Sequence, residues 1–295
     1  MTTTTPPSSP AQPPPPAPAP PTAVSLARQA LAPPARKAFA ALLMRDLAVL
    51  RKSIAVFALR TVMQPLLFVF VFTYVFPKIG QGVGGTGSGA TTFSSLLVPG
   101  VVAIACIFQG IQAVALPLVQ EFGYTREIED RVMAPLPVEA VALEKVVSGA
   151  LQGVVASLVV FPLAVFVPAT PVHLHVHWLV LLTVLPLAAL LGASLGLAIG
   201  TRAEPRQVPL VFSVIVIPIT FLGASYYPWA RLSPIPWLKW IVLVNPLVYM
   251  SEAFRAALTP TLPHMPLVAI YAGLIGFTLV LAKLGTDGFR KRVLA

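Results

Sequence analysis

Uncharged apolar runs of about 20 residues, the length that crosses a bilayer as helix, recur along this chain. They fall at about 54–76, 96–119, 146–167, 178–200, 208–226 and 267–284. The pattern predicts an all-α integral membrane protein with six transmembrane helices. In the first run, FALRTVMQPLLFVFVFTYVF, Arg60 sits near the start, where its guanidinium can snorkel to the headgroups. Prolines 65, 117, 162, 186, 209 and 218 lie inside the runs. Membrane helices tolerate this when neighbours satisfy the freed carbonyls, so the pattern predicts kinked, packed helices. Gly192, Ala193, Ser194 and Gly196 are small enough to let two helices approach closely.

The segments between the runs are patterned too. Over 36–52, Phe39, Leu42, Leu43, Leu47 and Leu50 fall near one helical face, with Arg45, Asp46 and Arg51 toward the other. That predicts an N-terminal amphipathic helix lying at the membrane interface. Residues 227–266 are too apolar for a simple loop, yet Pro228, Pro234, Pro236, Pro246, Pro260 and Pro263 interrupt them. The run from Trp237 to Val244 is too short to cross. The stretch predicts a re-entrant helical segment between spans five and six, with Trp229, Trp237, Trp240 and Tyr249 at the interface. A seventh crossing around 237–258 is the alternative, and Asn245-Pro246, Glu252 and Arg255 make it poorer. The start of the chain, 1–34, holds 12 of the 32 prolines and cannot build a core, which predicts a disordered proline-rich cytoplasmic tail. It has neither the basic start nor the apolar core of a signal peptide. The membrane domain is then 35–295.

Composition agrees with the pattern. The chain is 57% apolar and only 10% charged, against about 25% charged in ordinary soluble domains. The formal charge of +10 would point a soluble protein toward nucleic acid. Here the basic residues gather at run ends, so the expected contacts are membrane lipids, with no nucleic acid. Lys78, Arg231, Lys239 and Arg255 fall on one side of the membrane and Arg60 within a span, while every other Lys and Arg falls on the opposite side. The positive-inside rule therefore predicts both termini in the cytoplasm of a multi-pass protein of the cell inner (plasma) membrane. Cys106, the only cysteine, lies mid-run and reads as a small core residue.

Chemistry-bearing motifs are few. The glycine-rich stretch 78–93 has no Gly-Lys-Ser/Thr after it, so nothing there would hold a nucleotide phosphate or magnesium. His173, His175 and His177 alternate and would share one face of a strand, but no carboxylate or cysteine nearby completes a zinc site. They read as a surface loop, with no metal site. No His-Glu-x-x-His or Gly-x-Ser-x-Gly occurs, and no catalytic residue is predicted. The most polar stretch, QEFGYTREIEDRVMAPLPVEAVALEK over 120–145, carries Glu121, Arg126, Glu127, Glu129, Asp130, Arg131 and Glu139. It reads either as a short membrane-parallel helix that receives a partner's push or as a solvated connector. Glu252 and Arg255, three apart, can meet on one helical face, as a structural ion pair or as a gate near the outer exit.

Two of these stretches resemble the type-2 ABC exporter permeases. Glu121, Gly123, Met133–Leu136 and Lys145 follow the order of that family's coupling region, with Phe122-Gly123-Tyr124 where charged residues are commoner. FLGASYYPWARLSPIPWLKWIVLVNPLVYMSEAFRAAL, 221–258, is similar to its Phe-Leu-x-Gly…Pro…Leu-Pro…Asn-Pro…Glu-x-x-Arg pattern, above all at Asn245, Pro246, Glu252 and Arg255. The resemblance implies a transport subunit that is not itself an enzyme and moves an amphiphilic substrate outward, of the drug, lipid or glycan class. It implies partners: separate ATP-binding cassette ATPase subunits that carry the ATP and magnesium, and a second permease copy or paralogue. It also implies that Glu121, Gly123, Arg126, Glu127, Arg131 and Lys145 couple to the ATPase. The alternative is a secondary carrier or channel acting without an ATPase. That would need intramembrane acidic or histidine relays, and the spans lack them.

Overall fold

The computed structural model describes residues 33–79, 88–125, 137–169 and 171–294. Residues 1–32 of the proline-rich tail, half of the glycine-rich stretch and the predicted coupling residues Arg126, Glu127 and Arg131 lie outside them. Among the described residues every regular element is helical. In chain order the principal helices are α1 (Pro33–Lys52), α2 (Ile54–Val69), α3 (Ser88–Gln120), α4 (Val138–Phe166), α5 (Trp178–Gly200), α6 (Pro205–Phe221), α7 (Pro236–Ile241), α8 (Pro246–Leu258) and α9 (Leu267–Leu294).

Five helices among the described residues are long and apolar enough to cross a membrane: α2 with the π turn that extends it, α3, α4, α5 and α9. A sixth crossing arises only if 236–244 and α8 are joined, and these are bent by 98° at Asn245. The predicted run 208–226 is shorter in the fold than its apolarity suggests. α6 is a shorter apolar helix that ends at Phe221. Its ladder shifts to a π turn over Phe212–Val216, just before Pro218, which has no N–H to continue the ordinary pattern. Beyond Phe221 the chain reverses through Ala224, at φ 50°, and Ser225. A Cβ on Gly100 of α3 would lie 1.9 Å from the Ser225 carbonyl oxygen, so only glycine admits this loop against α3. Two other boundaries move outward. α4 begins at Val138, so Glu139, Glu144 and Lys145 belong to the helix rather than to the connector, and α9 runs well past 284.

α3 is the central element, packed by α4, α5 and α8, and 72% of its apolar window is buried. It meets α5 almost backbone to backbone: a Cβ on Gly110 would stand 2.6 Å from the carbonyl carbon of Gly192. Small residues thus set the spacing of the core pair. The Asn245-Pro246 step also has a local cause. The Asn245 side chain accepts from Leu247 N at 2.9 Å and caps α8, while Pro246 fills the first helical position, where no N–H is needed.

Residues 171–177 run extended across the end of the bundle remote from Lys145. Val172, Leu174 and Val176 pack on the core, and His173, His175 and His177 face outward. His175 N and His177 N donate to Leu258 O and Ala257 O of α8. Among the described residues no group of three or more His, Cys, Asp or Glu is placed to hold a metal.

Candidate functional site

Ionic groups are buried at two opposite ends of the bundle. At the first end, Lys145 of α4 donates to Glu121 Oε1 at 2.8 Å and stands 3.8 Å from Asp46 Oδ2. Its side chain is 5% exposed. Three elements meet here: α1 through Asp46, the π turn Glu121–Thr125 that closes α3, and the first turns of α4. The sequence pattern put Asp46 on the far side of α1. In the fold it is half-buried, on the same face as Phe39, Leu42, Leu43, Leu47 and Leu50. Spacing explains it, because 39, 43, 46 and 50 are successive four-, three- and four-residue steps along one helical stripe. A buried ammonium held by two carboxylates is stable only as a set, since removing one member leaves charge out of water.

Of the predicted coupling residues, Glu121 and Lys145 come together directly. Gly123 sits beside them, so close to the start of α6 that a Cβ would lie 2.3 Å from Pro205 Cγ. Above the cluster opens a cleft of about 440 Å³, bordered by Arg45, Asp46, Glu121, Lys145, Gln112 and Gln152. Deeper in, Thr61 of α2 donates to Gln109 Oε1 of α3 at 3.0 Å, and Gln109 Nε2 donates to Gln152 Oε1 of α4 at 3.4 Å. This polar ladder ties three helices through otherwise apolar packing. It contains no ionisable group, the residue type that most plainly marks a polar site within spans. Gln109 and Gln152, polar amides within apolar runs, were the available signal.

At the opposite end the Glu252–Arg255 pair is fully buried, with Arg255 Nη1 2.6 Å from Glu252 Oε1. Glu252 also accepts from Trp229 N at 2.8 Å and Met265 N at 2.7 Å, and Arg255 Nη2 donates to Ala224 O at 3.0 Å. The pair therefore pins the loop after α6, the turn before α7 and the entry to α9 onto α8. Asn245 adds a further tie, its Nδ2 donating to Ile219 O of α6 at 2.7 Å.

The profile of the ABC-2 type transporter family matches residues 37–259, which take in both ionic ends. The chain belongs to the ABC-2 type transporter family. The inner membrane transport permease YadH of Escherichia coli (strain K12) is 26% identical over 222 residues, covering 74% of this chain and 82% of that protein. YadH of Shigella flexneri matches to the same extent. An ABC-2 type transporter chain of this kind is the membrane subunit of an ABC transporter, and such permeases work with ATPase subunits. Glu121 and Lys145 of the first ionic end, with Gly123 beside them, are among the residues that resemble the family's coupling region. α9 lies beyond the matched residues.

Proposed function

We propose that this chain is the permease subunit of an ATP-driven exporter in the inner membrane, with both termini cytoplasmic. It moves an amphiphilic substrate of the drug, lipid or glycan class outward from the cytosol or inner leaflet. It works as a pair with a second copy or a paralogue, powered by separate ATPase subunits that carry ATP and magnesium. α1 then lies on the inner leaflet, and 236–258 dips into the outer leaflet and returns. The observation that carries the reading is the Asp46–Lys145–Glu121 cluster. It joins α1, the end of α3 and the start of α4 at the base of the charged segment 126–136, so a push on that segment reaches three helices together. A lysine held between two carboxylates resists bending apart, as a lever arm must. Arg126, Glu127 and Arg131 are the contacts to the ATPase in this reading.

Reconstitution of the chain with its ATPase subunits tests it. The permease should stimulate ATP hydrolysis, and Glu121→Gln combined with Arg126→Ala should abolish the stimulation. Undiminished stimulation in the double variant would remove the coupling role. Vigorous transport by the purified chain without ATP would sink the exporter reading altogether.

A further inference from the structure

The last turns of α9 pack against the coupling turn. Phe289, fully buried, meets the Phe122 ring edge-on at 5.6 Å between centroids. One turn later the Arg292 guanidinium lies over the same ring, 4.7 Å from its centroid. That guanidinium also reaches the end of α5, with Nη1 3.0 Å from Ala203 O and 3.5 Å from both Gly200 O and Thr201 O. These carbonyls terminate α5, where a helix leaves acceptors free and a cation is favoured. Ala203 is two residues from Pro205, the first residue of α6, against which Gly123 packs. On α9 the contact stripe is regular: Gly285 faces Leu197, Gly288 faces Thr201, then Phe289 and Arg292 follow at helical spacing.

We propose that Arg292 is a positioning residue that transmits movement of the coupling turn to α6. One planar cation grips the face of Phe122 and the carbonyls leading into α6, so the two shift together. The Asp46–Lys145–Glu121 cluster gives the turn a connection to α1 and α4. Arg292 gives it a separate connection to α5 and α6. Lysine can sit over the ring or bind one carbonyl, but it lacks the flat fork that does both. This rests on the coupling reading above.

The test uses the complete complex with its ATPase subunits. Arg206→Cys, at an exposed position beside Pro205, is labelled with a soluble maleimide in ATP plus vanadate and without nucleotide; Cys106 is buried. In the Arg206→Cys background the labelling rate should change with nucleotide. Adding Arg292→Ala should shrink that change by about fivefold or more, the low end of ordinary coupling between sites. Adding Arg292→Lys should give an intermediate value, while the melting temperature and ATPase subunit retention stay near those of the parent. Phe122→Leu, which keeps the guanidinium–carbonyl bonds, should reduce the change as well and serves if Arg292→Ala does not fold. A full nucleotide response in Arg292→Ala or in Phe122→Leu would overturn the proposal, as would the absence of any response in the parent. Failure of the chain to retain ATPase subunits would instead count against the coupling reading.

Discussion

Removing the Glu252 carboxylate should cost the fold more than removing the Arg255 guanidinium, although the two form one ion pair. Both side chains are fully buried, and breaking such a pair from either side costs about 3–5 kcal/mol. The asymmetry comes from the other bonds. In Arg255→Met the carboxylate keeps the N–H donors of Trp229 and Met265, and only Ala224 O loses its partner. In Glu252→Ala both of those N–H groups lose their acceptor, and Arg255 remains as a buried cation. Two orphaned donors at about 1–3 kcal/mol each put Glu252→Ala about 2–6 kcal/mol below Arg255→Met, with one orphaned carbonyl offsetting part of the gap. At about 2–4 °C per kcal/mol for a chain of this order of size, a gap of several degrees follows. Thermal unfolding of the detergent-purified chain, followed by tryptophan fluorescence or by loss of the monodisperse chromatographic peak, measures it. The double variant should melt no lower than Glu252→Ala, because it no longer buries an uncompensated charge. If Glu252→Ala melts at or above Arg255→Met, the carboxylate is not the hub described here.

The remaining expectations concern packing. Gly110→Ala should destabilise by about 1–3 kcal/mol, since its Cβ would stand 2.6 Å from the Gly192 backbone. Gly276→Ala on α9, where the new Cβ would meet nothing within 4 Å beyond its own helix backbone, should be neutral or gain up to about 1 kcal/mol from helix propensity. The two melting temperatures should therefore move in opposite directions or differ plainly. Gln109→Leu strands the Thr61 hydroxyl and the Gln152 amide, and should cost about 0.6–1.7 kcal/mol in the same assay, between the average and the largest value for hydrogen bonds between membrane helices. Amide exchange by mass spectrometry should be faster over α6 than over α3 and α5, because α6 buries little; equal protection would contradict that.

Periodicity made most of the fold legible. Apolar runs of spanning length show in the sequence because a bilayer demands them, and α2, α3, α4, α5 and α9 fall where those runs predict. What failed was a boundary set by tertiary contact. Apolarity alone extends the fifth run to Tyr226, but the chain leaves the helix at Leu222, where Gly100 admits the loop and Arg255 holds Ala224 O. No local pattern carries that information. The candidate site divides the same way. Glu121 and Lys145 stand 24 residues apart, and a family resemblance placed both in one region. Asp46 falls at the spacing of α1's packed stripe, while its charge points to the opposite, polar face. The Phe122–Arg292 contact joins residues more than half the chain apart, and nothing within either segment announces it.

The distribution of buried area separates a frame from its moving parts. α3 is buried over 72% of its apolar window and α2 over only 19%. α3 and α5 cannot slide without driving Gly110 into Gly192, so the pair behaves as one body. α2 is held to it by the Thr61–Gln109–Gln152 ladder, amide bonds that can re-pair after a small shift, whereas interlocked methyl groups would have to unpack. α6 buries only Val216 and Thr220, and carries a π turn between Pro209 and Pro218. It is anchored near its ends, by the Pro205 contact with Gly123 at one and the Asn245–Ile219 bond at the other. A helix tied at both ends and free between them can tilt or re-register at small cost in apolar contact. In the proposed reading, energy delivered at the Asp46–Lys145–Glu121 cluster has two compliant elements to act on, α2 and α6, and a frame of α3 and α5 to act against.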